Sequence, residues 1–142
     1  MSLSSGIYRI SNVGNDKYRL AFYDSDTVKA NDSSNVTVEI KNQSGGQMIR
    51  FNDSGVNPST IELSSTLPLQ SDNRVIQRTE KQGLSGDNLL WAVTSAGSDQ
   101  YSIKVWNEDA AWTLPSSPSN PSDIYLEPAE GQKGQLWKIV KA

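Results

Sequence analysis

Gln135-Leu136-Trp137-Lys138-Ile139 is the stretch that decides the fold. It joins a turn-side glutamine to an apolar alternation, Trp137-x-Ile139, and the chain carries two weaker echoes of it. Gln47-Met48-Ile49 runs on to Phe51, and Leu89-Leu90-Trp91 runs on to Val93. The anchors Ile49, Trp91 and Trp137 stand 42 and 46 residues apart. Recurrence on that scale marks an architecture built from copies of one unit. The chain reads as a single domain, 1–142, in three repeats of about 1–52, 53–96 and 97–142. That length buries a core without covalent staples.

Around these anchors the pattern is β throughout. Copy one opens with Gly6-Ile-Tyr8-Arg-Ile10 and turns at Gly14-Asn15-Asp16. Tyr18-Arg-Leu20-Ala-Phe22 follows, then a polar loop from Asp24 to Asn35, then Val36-Thr-Val38-Glu-Ile40. Ser44-Gly45-Gly46 turns the chain into Gln47–Phe51, the fourth strand of that copy. Copy three repeats the order with Tyr101-Ser-Ile103, Trp112-Thr-Leu114, a Pro/Ser-rich loop, Ile124-Tyr-Leu126 and Gln135–Ile139. The middle copy is the most diverged, with candidate strands at Thr60–Leu63, Leu67–Leu69, Arg74–Ile76 and Leu89–Val93. Period-two alternation, β-branched residues and turn-rich connections give an all-β domain. Three four-strand units are best satisfied by a β-trefoil, a short closed barrel capped by three hairpins that leaves few open edges. A β-sandwich and a three-bladed propeller are the alternatives. The expected core is Trp91, Trp137, Ile49, Tyr8, Ile10, Tyr101, Ile103, Val38 and Leu126. Gln47 and Gln135 are expected to hydrogen-bond backbone that the repeat turns leave unpaired.

Composition excludes several kinds of chemistry. The chain has no cysteine and no histidine. Disulfides, thiolate metal sites, a cysteine nucleophile and the usual general base are therefore missing, and a Ser-His-Asp site cannot be assembled. The expectation is a protein that is not an enzyme and uses no cofactor or metal. Net charge is −3 and no Lys/Arg run stands out along the chain. That argues against a nucleic-acid partner, which needs concentrated positive charge. Neither a signal peptide nor a membrane-spanning run is visible, so a cytoplasmic location without membrane insertion is expected. The sequons at Asn31, Asn35, Asn42 and Asn52 read as chance in a chain rich in Ser and Asn. Asp24, Asp26, Asp32 and Glu108-Asp109 lack calcium-loop spacing and read as solubilising charge.

The Gln-Leu-Trp triplet resembles the hallmark of ricin-B-type trefoils, with one copy intact and two degraded. The opening Leu3-Ser-Ser-Gly6-Ile-Tyr8-Arg-Ile10-Ser-Asn12-Val13 resembles mushroom trefoil proteins more specifically. So does the ending Asp123-Ile-Tyr-Leu126-Glu-Pro128 with Gln135-Leu-Trp137-Lys-Ile139. The resemblance implies a β-trefoil with a fungal defence role. Relatives of that kind include cospin- and cnispin-type serine-protease inhibitors, mycocypin-type cysteine-protease inhibitors and ricin-B-like lectins. One departure matters. Copy one has Tyr18-Arg-Leu20-Ala-Phe22-Tyr23-Asp24 where fungal lectins carry a Leu-Asp-x-x-Gly-like stretch, and the other copies show nothing closer, so the galactose pocket of such repeats is expected to be lost.

Three surface candidates follow. The first is Val28-Lys29-Ala30-Asn31, in the loop that resembles the reactive region of some trefoil trypsin inhibitors. A lysine at a loop tip with small or β-branched neighbours could anchor in the acidic pocket of a trypsin-like protease. A solvated lysine in a polar loop would give the same pattern. Arg74 is a secondary basic candidate, and Asn57 and Asn73 are turn asparagines of the type some mushroom trefoils turn against legumain-type proteases. The third candidate is Trp106-Asn107-Glu108 with Trp112, two tryptophans flanking an amide and a carboxylate. They could stack a sugar face and bind its hydroxyls, or Trp112 could pack beneath the Pro115-to-Ser122 loop. The leading expectation is a protease inhibitor acting through a rigid surface loop on a trypsin-like serine protease. The alternative is a lectin whose partner is a glycan or glycoprotein.

Overall fold

The structure is a computed structural model and describes residues 3–23, 28–43, 46–51, 59–63, 75–79, 90–105 and 109–142. Thirteen strands join one antiparallel sheet: β1 (Gly6–Asn12), β2 (Arg19–Ala21), β3 (Lys29–Asn31), β4 (Val38–Gln43), β5 (Gly46–Phe51), β6 (Ser59–Leu63), β7 (Val75–Thr79), β8 (Trp91–Gly97), β9 (Gln100–Val105), β10 (Ala111–Thr113), β11 (Ser122–Asp123), β12 (Tyr125–Glu127) and β13 (Trp137–Lys141). A 3₁₀ turn, Lys133–Gln135, precedes β13. Its neighbours in space follow from pairing. β1 pairs β4, β4 pairs β5, β5 pairs β8, β8 pairs β9, β9 pairs β13, and β13 returns to β1. The six strands thus close into a barrel, and β2–β3, β6–β7 and β10–β12 form three hairpins attached to it. That is the β-trefoil.

The register is threefold to the residue. Ile40 faces Ile49, Val93 faces Ile103, and Ile139 faces Ile10, which gives one aliphatic layer inside the barrel. Val38 faces Phe51, Trp91 faces Val105, and Trp137 faces Asn12 in the adjacent layer. All twelve side chains are buried. Alternation explains this: every second residue of a barrel strand points inward, and these are the β-branched and aromatic ones.

Pairing groups the strands as 6–43, 46–97 and 100–141, which corrects the repeat boundaries read from sequence. Gln47–Phe51 opens the second unit and does not close the first. The counterpart of Trp91 and Trp137 is therefore Val38, not Ile49. The error came from β3. Lys29-Ala30-Asn31 has no β-propensity to advertise it. It is a strand because β2 pairs one edge and β11 the other, with Ala30 fully buried between them.

The core holds the expected residues except Tyr101, which is only half-buried at its edge. It also takes Trp112, which is 0% exposed. Its ring stands edge-on to Trp91 at 5.4 Å and to Trp137 at 6.0 Å. The Trp137 Nε1–H donates to the Trp112 carbonyl oxygen at 3.0 Å. The Trp112 Nε1–H is buried without an acceptor among the described residues. Such a donor costs on the order of 1–3 kcal/mol, which the buried area and two edge contacts of the indole offset. Trp112→Ala is expected to lower the unfolding free energy by about 3–5 kcal/mol. Urea unfolding followed by near-UV circular dichroism measures it, and a loss below about 1 kcal/mol would contradict the three-indole core.

Candidate binding loops

The expected inhibitory segment is not a loop. Val28 and Ala30 are buried, and Lys29 and Asn31 are held by β3 between two partner strands. The Lys29 ammonium lies 2.6 Å from the Asp123 carboxylate, with the two side chains 24% and 19% exposed. The Asn31 Nδ2 donates to the Tyr23 hydroxyl at 2.7 Å. Lys29 therefore ties the first repeat to the third, across β3 and β11, and is not free to enter a specificity pocket. A backbone already paired on both edges also cannot lie as an extra strand in a protease cleft.

The expected glycan platform is corrected in part. Trp112 sits in the core and cannot stack on a sugar. Trp106, Asn107 and Glu108 lie outside the described residues, as do Arg74, Asn57, Asn73, Asp24 and Asp26. Among the described residues no group of three carboxylates is placed to hold a metal ion.

The segment that does stand out is 114–121, Leu-Pro-Ser-Ser-Pro-Ser-Asn-Pro. Proline recurs at 115, 118 and 121, each fixing φ near −65° and removing a donor, so the backbone has few alternative conformations, and it bends at Ser116–Ser117 and again at Asn120–Pro121. Both ends are fastened. Leu114 is 3% exposed and its N–H donates to the Gly134 carbonyl at 3.0 Å, while Ser122 is 2% exposed and pairs with Ala30 in β11. The Tyr18 hydroxyl reaches the Pro118 carbonyl at 3.5 Å. Pro115 and Pro118 are half-buried, whereas Ser116, Ser117, Ser119, Asn120 and Pro121 are exposed. The loop thus rests on its first two prolines and presents hydroxyls and an amide to solvent. Proline at every third position was the available signal in the sequence; it says nothing of fastening or of which side faces out.

Beside the loop lies a cleft of about 280 Å³ between the β1–β2 turn and the 3₁₀ turn, walled by Asn15, Pro115, Ser116, Gln132 and Lys133 among others. Its floor is a close crossing of three segments. Asn12, 1% exposed at a register position that holds Phe51 and Val105 in the other repeats, donates from Nδ2 to the Gly134 carbonyl at 3.1 Å. Its Oδ1 accepts from the Asn15 N–H at 3.0 Å. The Gly14 N–H donates to the Lys133 carbonyl at 3.1 Å. A Cβ on Gly134 would stand 2.7 Å from the Leu114 carbonyl oxygen, closer than a side chain tolerates. The buried Gln135 closes the turn from below. Its Oε1 accepts from the Glu130 N–H at 2.7 Å, and its Nε2 donates to the Pro128 carbonyl at 2.8 Å. Gln47 also serves the backbone, its Oε1 accepting from the Val93 N–H at 3.0 Å. A second cleft, about 300 Å³, opens over β9 and β10 and is lined by Ser102, Lys104 and Leu136 among others. Neither lining contains an aromatic ring.

No protein-family model matches the chain, and no curated protein matches it in sequence. Solved structures do match in shape. A designed threefold-symmetric protein, ThreeFoil, superimposes with TM-score 0.77 at 18% identity, covering 96% of this chain and 99% of its own. A proteinase inhibitor from Coprinopsis cinerea gives TM-score 0.78 at 10% identity, covering 99% and 100%. The Macrolepiota procera ricin B-like lectin, solved with lactose, gives TM-score 0.78 at 14% identity, covering 100% and 99%. The β-trefoil is common to inhibitor and lectin alike, and the fold fits either activity.

Two substitutions separate structure from recognition. Gly134→Ala should destabilise by about 1–3 kcal/mol, because the Leu114 backbone carbonyl must move to admit the methyl group. Lys29→Ala should cost about 1 kcal/mol through the lost ion pair, with no change in any inhibition constant. A tenfold weaker inhibition at unchanged stability would return Lys29 to the binding surface.

Proposed function

We propose that this protein works by binding, performs no chemistry, and blocks a protease with the rigid segment 114–121. The observation that carries the reading is the fastening of a proline-spaced, outward-facing loop at both ends and at Pro118. An inhibitory segment must enter a protease cleft without losing much freedom on arrival. A loop already confined by proline and clamped by its scaffold meets that ordering cost before association. The likeness to a fungal proteinase inhibitor is compatible with this reading, and the likeness to a lactose-bound lectin is compatible with the alternative. The glycan reading keeps Trp106, Asn107 and Glu108 but loses Trp112 to the core.

The loop also revises the target. Segment 114–121 carries no basic residue, so nothing in it serves the acidic pocket of a trypsin-like enzyme. Its exposed serines and asparagine suit a protease whose pocket takes small uncharged side chains. Residual activities of elastase, subtilisin, papain and an asparagine-specific protease, with trypsin as the negative arm, test this. Inhibition of one of the first four is expected. The double variant Pro115→Gly/Pro118→Gly should weaken it about tenfold while the protein stays folded, its unfolding temperature lowered by roughly several degrees. Full activity of every protease at micromolar inhibitor would end the proposal.

A further inference from the structure

Charge is sorted by the fold. The six barrel strands carry Arg9, Lys41, Arg50, Lys104, Lys138 and Lys141 against a single carboxylate, Glu39, although the chain as a whole has net charge −3. The acidic excess therefore lies outside the six barrel strands. Glu39 is already taken, its Oε1 accepting from the Arg50 Nε–H at 2.8 Å. Arg9, Lys41, Lys104, Lys138 and Lys141 have neither an ion pair nor a hydrogen bond among the described residues. Strand alternation turns Arg9, Lys104 and Lys138 outward, since Ile10, Ile103, Val105, Trp137 and Ile139 fill the inside.

Register brings these cations into a line. Lys138 of β13 stands between Ser11 of β1 and Gln100 of β9. Arg9 is opposite Val140, so its Cβ is diagonal to that of Lys138, at about 7–8 Å or less. Two positions before Lys138, on the same face, Leu136 lines the cleft that also holds Lys104 and Ser102. That cleft, about 300 Å³, has an apolar floor of Ala96, Ala111 and Leu136 and one hydroxyl at its side. Glu127 stands beyond Ala111 and makes no ion pair with Lys104. The cleft admits a single pyranose ring, its apolar face on the floor and its hydroxyls toward Ser102.

We propose that the outer wall of the barrel binds an acidic polysaccharide, with one sugar in the Ser102–Lys104 cleft and its anionic groups on Lys138 and Arg9. A thin chain fits this track better than other polyanions do. A broad anionic membrane would also meet the exposed Glu127 beside the cleft, and the barrel strands that carry the cations present no helix to enter a DNA groove. The source of the anion, uronate or sulfate, is left to the probes. The site lies apart from segment 114–121 and does not depend on protease inhibition.

The experiment measures binding of fluorescent oligogalacturonate and dextran sulfate oligomers by anisotropy, with neutral dextran, duplex DNA and phosphatidylserine vesicles as competitors. At least one acidic oligosaccharide should bind, and neutral dextran should not compete. The variant Arg9→Gln/Lys104→Gln/Lys138→Gln should weaken binding at least about tenfold, and salt raised from 50 to 200 mM should do the same. Lys17→Gln, in the β1–β2 turn, should leave it unchanged. Should the triple variant fold poorly, Arg9→Gln and Lys138→Gln singly are each expected to show a partial loss. Equal binding of neutral dextran, wild-type affinity in the variants, or tighter binding of DNA or vesicles at the same residues would each overturn the assignment.

Discussion

Barrel closure is the constraint on which the molecule depends. Six short strands can satisfy their backbone donors and acceptors only if the last returns to the first, and β13 does so by pairing five residues with β1, from Tyr8↔Lys141 to Asn12↔Trp137. Once closed, the barrel has an inside of fixed width. Ile10, Ile49 and Ile103 fill one level with their partners Ile139, Ile40 and Val93. The next level is uneven: Trp91 and Trp137 fill two of its threefold positions and the much smaller Val38 the third. Trp112 leaves the third hairpin to pack against both tryptophans. The symmetry is thus kept by register and broken by volume.

That break decides where recognition can happen. Among the described residues the interior is filled by indole rings and aliphatic groups, and the two clefts described above both lie on the outside. Two outer regions differ in kind. Segment 114–121 gains its rigidity from proline and from contacts with Gly134, Ala30 and Tyr18, so it suits a partner that comes to it. The barrel wall gathers Arg9, Lys138 and Lys104 from three different strands, β1, β13 and β9, the arrangement on which the proposed polysaccharide track rests. The buried Asn12 supports the first region. It occupies a core position, yet both ends of its amide are used to join the β1–β2 turn to the 3₁₀ turn beneath the loop. A polar group in that layer is tolerated because it is satisfied.

The candidate site was less legible than the fold, for reasons visible in particular residues. Lys29 looked like a loop tip because Asp24–Asn35 is polar and carries no alternation. Its role as the Asp123 partner needs a residue 94 positions away. Trp112 looked like a surplus surface tryptophan because its repeat partners lack one. Only the size of the gap beside Trp91 and Trp137 calls it inward. The cationic wall was invisible altogether, since Arg9, Lys41, Lys104 and Lys138 are scattered along the chain and no run announces them.

Alternation and the two tryptophan-led runs, Trp91-x-Val93 and Trp137-x-Ile139, sufficed for an all-β chain built of repeats, for most of the core, and for the two glutamines that serve the backbone. These are properties of local period and residue type, and a linear reading reaches them. Where one unit ends, which strand faces Trp91, whether Lys29 is free and which charges become neighbours were decided only by the tertiary structure. Strand pairing joins residues through space, and a three-residue strand such as β3 exists because its partners on either side hold it there.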